Sequence, residues 1–108
     1  MRQCKVFVQN RYAGLLTEKS RDEYIFTYEK EYLEDKDTMP VSLTMPKRKK
    51  PYKSDVLFPY FFNILSEGEN RKMQSQWLHI DEDDDFGILM ETAQYDTPGV
   101  VTVMPVYE

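Results

Sequence analysis

The residues with the most obvious capacity for chemistry are the acidic run Asp81-Glu82-Asp83-Asp84-Asp85. Asp81, Asp83 and Asp85 have the first, third and fifth spacing of a calcium loop, which also needs Gly at its sixth position and Glu at its twelfth. Those positions hold Phe86 and Thr92, with Gly87 and Glu91 each one residue out of register. The run reads instead as the acidic start of a helix, where negative charge complements the helix dipole. Asp85-Phe86-Gly87 spells the magnesium-binding triplet of protein kinases. A kinase also needs a glycine-rich phosphate loop, a strand lysine paired to a helix glutamate and a His-Arg-Asp loop, and none is present. His79 and Cys4 are the only histidine and cysteine. They cannot supply a multi-histidine metal site, and their separation in sequence offers no nucleophile pair. Ser20, Ser42, Ser54, Ser66 and Ser75 have no evident base, and four glycines form no phosphate cradle. Catalysis, a bound metal and a cofactor are therefore not expected.

Lys47-Arg48-Lys49-Lys50 is the one basic run, with Tyr52 and Lys53 close behind, and it could contact phosphate. The chain as a whole is acidic, with a net charge of −5, which argues against general affinity for nucleic acid. The simpler reading is an exposed loop after Pro46. Its alternative is a contact with nucleic acid or an acidic partner inside a larger assembly.

The elements that must position these groups follow from periodicity. Cys4, Val6 and Val8 alternate with polar or outward positions, Asn10-Arg11 offers a turn, and Ala13 to Thr17 continues as a second strand. Tyr24, Phe26 and Tyr28 mark a third strand, Tyr32-Leu33 a short helical turn, and Val41, Leu43 and Met45 a fourth strand. Leu57 to Leu65 reads as a helix with Ser54-Asp55 near its cap. Leu57, Phe61, Ile64 and Leu65 form one apolar face, and Phe58 and Phe62 begin a second. A helix apolar nearly all round is buried on two sides or docks on a partner. Met73, Trp77 and Ile80 mark the expected buried stripe of the next helix, and Phe86 to Ala93 a third. Val100 to Met104 closes the chain as a strand. The expected fold class is α+β: about five mostly antiparallel strands, partly barrel-like, packed with about three short helices.

At 108 residues, 41% apolar and 31% charged, residues 1–108 are expected to form a single domain with a real core. A lone cysteine excludes an internal disulfide and fits a reducing compartment. No apolar leader or membrane-length apolar run appears, so a cytoplasmic protein is expected.

The order of residues resembles the HipA amino-terminal subdomain family. The resemblance rests on Val6-Phe7-Val8-Gln9-Asn10 with Ala13-Gly14-Leu15-Leu16-Thr17, on Tyr24 to Tyr28 with Tyr32-Leu33, and on Val41 to Pro46. Its most specific part is Leu57-Phe58-Pro59-Tyr60-Phe61-Phe62 leading to Glu67-Gly68. Ile80-Asp81, Phe86 to Leu89 and Gly99-Val100-Val101 complete it. HipA-like proteins are serine/threonine kinase toxins paired with a helix-turn-helix DNA-binding antitoxin, HipB, and this subdomain precedes the kinase lobes without carrying catalytic residues. The resemblance implies the split arrangement, in which a HipS-like small protein binds and restrains a HipT-like kinase. It places partner contacts at Phe58, Phe62, Ser66, Glu67, Glu69, Asn70 and Arg71. Many relatives have Trp directly after Glu-Gly, whereas this chain has Glu69-Asn70, so any occlusion of a kinase site would fall to Glu69 or Arg71. The alternative role is assembly or DNA contact in a HipB-containing complex through Lys47, Arg48, Lys49 and Lys50, touching DNA only through that complex.

Overall fold

The computed structural model describes residues 1–65, 68–92 and 101–106, with backbone alone at 68–70 and 92. Three meandering strands begin it: β1 (Arg2–Val8), β2 (Arg11–Ser20) and β3 (Glu23–Tyr28). Helix α1 (Lys30–Glu34), β4 (Tyr52–Ser54), α2 (Pro59–Asn63), α3 (Gly68–Leu78), α4 (Asp85–Thr92) and β5 (Val101–Val106) follow. The strands form one antiparallel sheet in the order β4-β3-β2-β1-β5. The fold is α+β, as the alternation implies. The sheet is open, with β4 and β5 as its edges, rather than curled toward a barrel.

Period-two alternation places the core. Cys4, Val6 and Val8 on β1, Leu16 on β2 and Tyr24, Phe26 and Tyr28 on β3 are buried, and Val101 and Val103 extend the same face. Register aligns Phe26, Leu16 and Cys4 across three strands, and Tyr28, Gly14 and Val6 in the adjacent row. Gly14 is required there: a Cβ would stand 2.5 Å from the Thr27 carbonyl oxygen and 2.7 Å from the Phe26 ring. The β1–β2 turn is Gln9-Asn10, one residue earlier than expected. Both residues have positive φ (51° and 65°), as a two-residue turn matching strand twist demands. From α4, Phe86, Ile88 and Leu89 are fully buried, each contributing about 1.5–3 kcal/mol of apolar burial.

Two expectations are corrected. Residues 41–45 are not a strand: only an isolated bridge joins Ser42 and Met45. Pro40 and Pro46 flank the segment, and the Tyr28 hydroxyl accepts the Val41 N–H at 2.9 Å and donates to the Met45 carbonyl. The segment is thus a pinned turn with Val41 and Met45 buried and Leu43 at 95% exposure. The fourth strand is Tyr52–Ser54 instead. The central apolar helix shrinks to Pro59–Asn63, with Phe58 rather than Ser54 or Asp55 as its N-cap residue, because Pro59 fits only the first turn. The described residues hold four helices, α1 being the short helical turn expected at Tyr32-Leu33.

Candidate docking surface

The phenylalanine-rich segment largely serves its own domain. Leu57, Phe58, Phe61 and Leu65 are buried, and Phe61 lies 6.0 Å from the Phe26 ring and 6.5 Å from that of Phe58. Phe58, expected as a partner contact, therefore has its ring in the protein's own core. Phe62 keeps 42% of its surface exposed and projects away from it. Ser66 and Glu67 lie outside the described residues. Glu69 and Asn70 belong to the first turn of α3, their side chains likewise outside the description.

Arg71 is described fully, and it turns inward. It forms an ion pair with Asp85, and its Nε and Nη2 donate to the Glu82 carbonyl at 3.0 and 2.7 Å. Arg71 thereby ties α3 to the acidic turn that precedes α4. The far end of α3 closes with His79 at φ 56°, its N–H bonded to the Gln76 carbonyl and that of Ile80 to Ser75. This is the Schellman pattern, with histidine at a left-handed position that glycine usually occupies.

Between these anchors α3 is oriented the wrong way round for a helix packed on its own domain. Arg71, Gln74, Ser75 and Leu78 form the half-buried face, polar except for Leu78. Lys72, Met73, Gln76 and Trp77 form the exposed face, with Met73 at 65% and Trp77 at 85% exposure. The expected burial of Met73 and Trp77 against the preceding helix is thus overturned. Fully burying a large apolar side chain is worth about 1.5–3 kcal/mol relative to exposure, and both residues forgo most of it. Met73 and Trp77, four residues apart, share one exposed side of the helix. Sequence carried no sign of this, because helical periodicity reports a stripe and not the direction in which it points.

The basic run divides. Lys47 folds back, its Nζ donating to the carbonyls of Asp35 (2.9 Å) and Thr38 (3.2 Å) and to the Thr38 hydroxyl (2.6 Å). Arg48 lies 3.6 Å from the centre of the Tyr52 ring and donates to the Lys50 and Pro51 carbonyls. Lys49 and Lys50 are left exposed. Two ready cations give a small electrostatic footprint for nucleic acid, whose affinity grows with the number of phosphates neutralised.

The acidic run lines an open groove of about 580 Å³ with Asp22, Asp55, Tyr24 and the half-exposed Val56. Arg2 bridges Glu18 (2.7 Å) and Asp84 (2.8 Å) at its base. Asp84 also accepts the Gly87 N–H at 3.1 Å, capping α4, and Arg2 holds its carboxyl below the usual carboxylate range. Asp81 accepts the Asp83 N–H at 2.9 Å. Among the described residues no group of three or more His, Cys, Asp or Glu is arranged to hold a metal ion. Cys4 is fully buried, and burial pushes its thiol up to about 12, while His79 stands exposed at the end of α3.

Comparison with known proteins matches this architecture. The family model described as the HipA N-terminal domain matches residues 4–104. An uncharacterized protein of Haemophilus influenzae is 34% identical over 94 residues, spanning 87% of this chain and 84% of that protein. Y4mE of Sinorhizobium fredii, named as a candidate kinase, is 28% identical over 105 residues, 97% of this chain. The chain spans only 25% of that relative's length. The solved N-terminal domain of HipA toxin superposes with a TM-score of 0.75 at 29% identity, covering 100% of this chain and 95% of that one.

Proposed function

This chain belongs to the HipA N-terminal domain family, and from that membership we propose that it is a non-catalytic regulatory subunit that binds a HipT-like serine/threonine kinase and restrains it. The family is that of the N-terminal domain, not of the catalytic kinase domain. The observation that carries the proposal is the outward Met73–Trp77 face of α3, adjoined in sequence by Phe62 on α2. A domain that points its lone tryptophan at water, and Arg71 at its own Asp85 carboxylate and Glu82 carbonyl, is built to meet another surface. Tryptophan is the residue most often found as a binding hot spot, and a centrally buried one is worth about 2 kcal/mol or more when truncated.

The contact set centres on Phe62, Met73 and Trp77, with Glu69 and Asn70 at the start of the same helix. Phe58 and Arg71 hold that surface in place from behind. The kinase and its helix-turn-helix companion would share one compartment with this subunit. Among the described residues no helix is long and apolar enough to cross a membrane.

The test is co-expression with a HipT-like kinase, followed by affinity measurement and a phosphorylation assay. The wild-type chain is expected to bind and to lower phosphorylation. Trp77→Ala is expected to weaken binding about thirtyfold, the equivalent of about 2 kcal/mol, and Phe62→Asp to abolish co-purification. Full binding by a folded Trp77→Ala, Phe62→Asp double variant would move the interface elsewhere, and no binding by the wild type would end the proposal.

A further inference from the structure

The two ends of β3 carry opposite surfaces. At its last residue, Tyr28 pins the 41–45 turn through the Val41 N–H and the Met45 carbonyl. The turn is closed again by the Met45 N–H on the Ser42 carbonyl (3.0 Å) and the Thr44 N–H on the Ser42 hydroxyl (3.2 Å). Leu43 sits at its tip, the most exposed of the large apolar side chains described, held there before any partner arrives. A side chain presented by a rigid turn avoids the ordering cost that weakens flexible contacts. The same connecting loop continues into the exposed Lys49 and Lys50.

Near the other end, Tyr24 lines the acidic groove. Tyr24 and Tyr28 are four residues apart, about 13 Å along an extended strand. Arg2 is engaged by Glu18 and Asp84, and Asp85 by Arg71, which leaves Asp22, Asp55, Asp81 and Asp83 to face Arg21 in the groove. Val56, 59% exposed, adds apolar surface beside those carboxylates. One end of the molecule is therefore an apolar knob followed by lysines, and the other an open groove with an apolar wall and excess negative charge.

We propose that these two surfaces recognise each other between copies of this chain: the Leu43 turn of one copy docks in the Asp55–Asp83 groove of the next, with Lys49 and Lys50 against its carboxylates. A contact between different patches at opposite ends is heterologous and propagates rather than closing on a two-fold axis. It leaves the Met73–Trp77 face of every copy open. Nucleic acid is the poorer occupant of this loop, since an exposed leucine gains nothing from phosphate.

Sedimentation velocity of the purified chain tests the contact. At low salt the weight-average sedimentation coefficient is expected to rise with protein concentration, and to fall back to the monomer value as added salt screens the lysine–carboxylate pairs. Leu43→Asp and the double variant Lys49→Glu, Lys50→Glu should each stay monomeric, as should Asp81→Lys with Asp83→Lys in the groove. Circular dichroism would verify that each is folded. Mixing the Leu43→Asp protein with the groove variant should restore a single one-to-one pair, because each then contributes its intact half. A wild-type chain that stays monomeric at every concentration overturns the proposal. So does association that survives Leu43→Asp or disappears instead with Trp77→Ala.

Discussion

Arg2 and Asp84 are 82 positions apart in sequence, yet their side chains tie the start of β1 to the turn before α4. The guanidinium donates to both oxygens of Asp84 at 2.9 and 2.8 Å and also bridges Glu18, and its own pKa is raised by those partners. Asp84 is held below its ordinary value of 3.8, chiefly by Arg2. A depressed carboxylate pKa adds stability that is complete above the ordinary value and vanishes as pH falls through the folded one. Chemical denaturation in acid should therefore show stability falling below about pH 4 more steeply in the wild type than in Asp84→Asn. Parallel acid limbs would mean that the clamp is not energetically coupled to folding. Cys4 gives a second residue-scale expectation. Fully buried, with a thiol pushed up to about 12 mainly by desolvation, it should resist alkylation at neutral pH until denaturant opens the sheet. The Arg2 clamp was not legible in the chain, since only strand pairing and α4 packing bring its partners near. The inward place of Cys4, by contrast, followed from its alternation with Val6 and Val8.

Local elements were legible where their signal was local. The alternation of Cys4, Val6 and Val8, and of Tyr24, Phe26 and Tyr28, gave strands because both faces of a pleat differ in burial. The 41–45 segment shares that alternation and is still a turn, because the Tyr28 hydroxyl and two prolines outweigh propensity. Helix α3 shows the same limit. Its existence was readable from the Met73, Trp77 and Ile80 spacing, but its rotation depends on Arg71 meeting Asp85 and Glu82, contacts that appear only in three dimensions. Two substitutions exploit the backbone, one at the end of α3 and one inside β2. His79→Gly should stabilise the fold by about 0.5–1 kcal/mol in urea unfolding, since a left-handed position penalises a side chain. Gly14→Ala should cost about 1–3 kcal/mol or more, because the added methyl meets the Thr27 carbonyl and the Phe26 ring.

Across the whole molecule, stability and recognition fall to different residues. The sheet, α2 and α4 hold the core, while the outer face of α3 adds little to it. Trp77→Ala should accordingly change unfolding free energy by no more than about 0.5 kcal/mol, where truncating a buried tryptophan costs about 3–5 kcal/mol. A large loss of thermal stability would show that α3 packs differently from the arrangement described. The family was legible from motif order over nearly the full chain, and the model match over residues 4–104 bears it out. The location of the surplus apolar surface was not, since the phenylalanines that suggested it are mostly interior and the residues that display it looked like core.

Trp77 is also the only indole in the polypeptide. Its emission carries no competing background from the interior, so the free subunit should glow at the long wavelengths of a water-bathed ring. Any partner that covers α3 would shift that colour toward the blue. Complex formation could thus be followed optically in the unlabelled protein, without attaching a dye to the surface being measured.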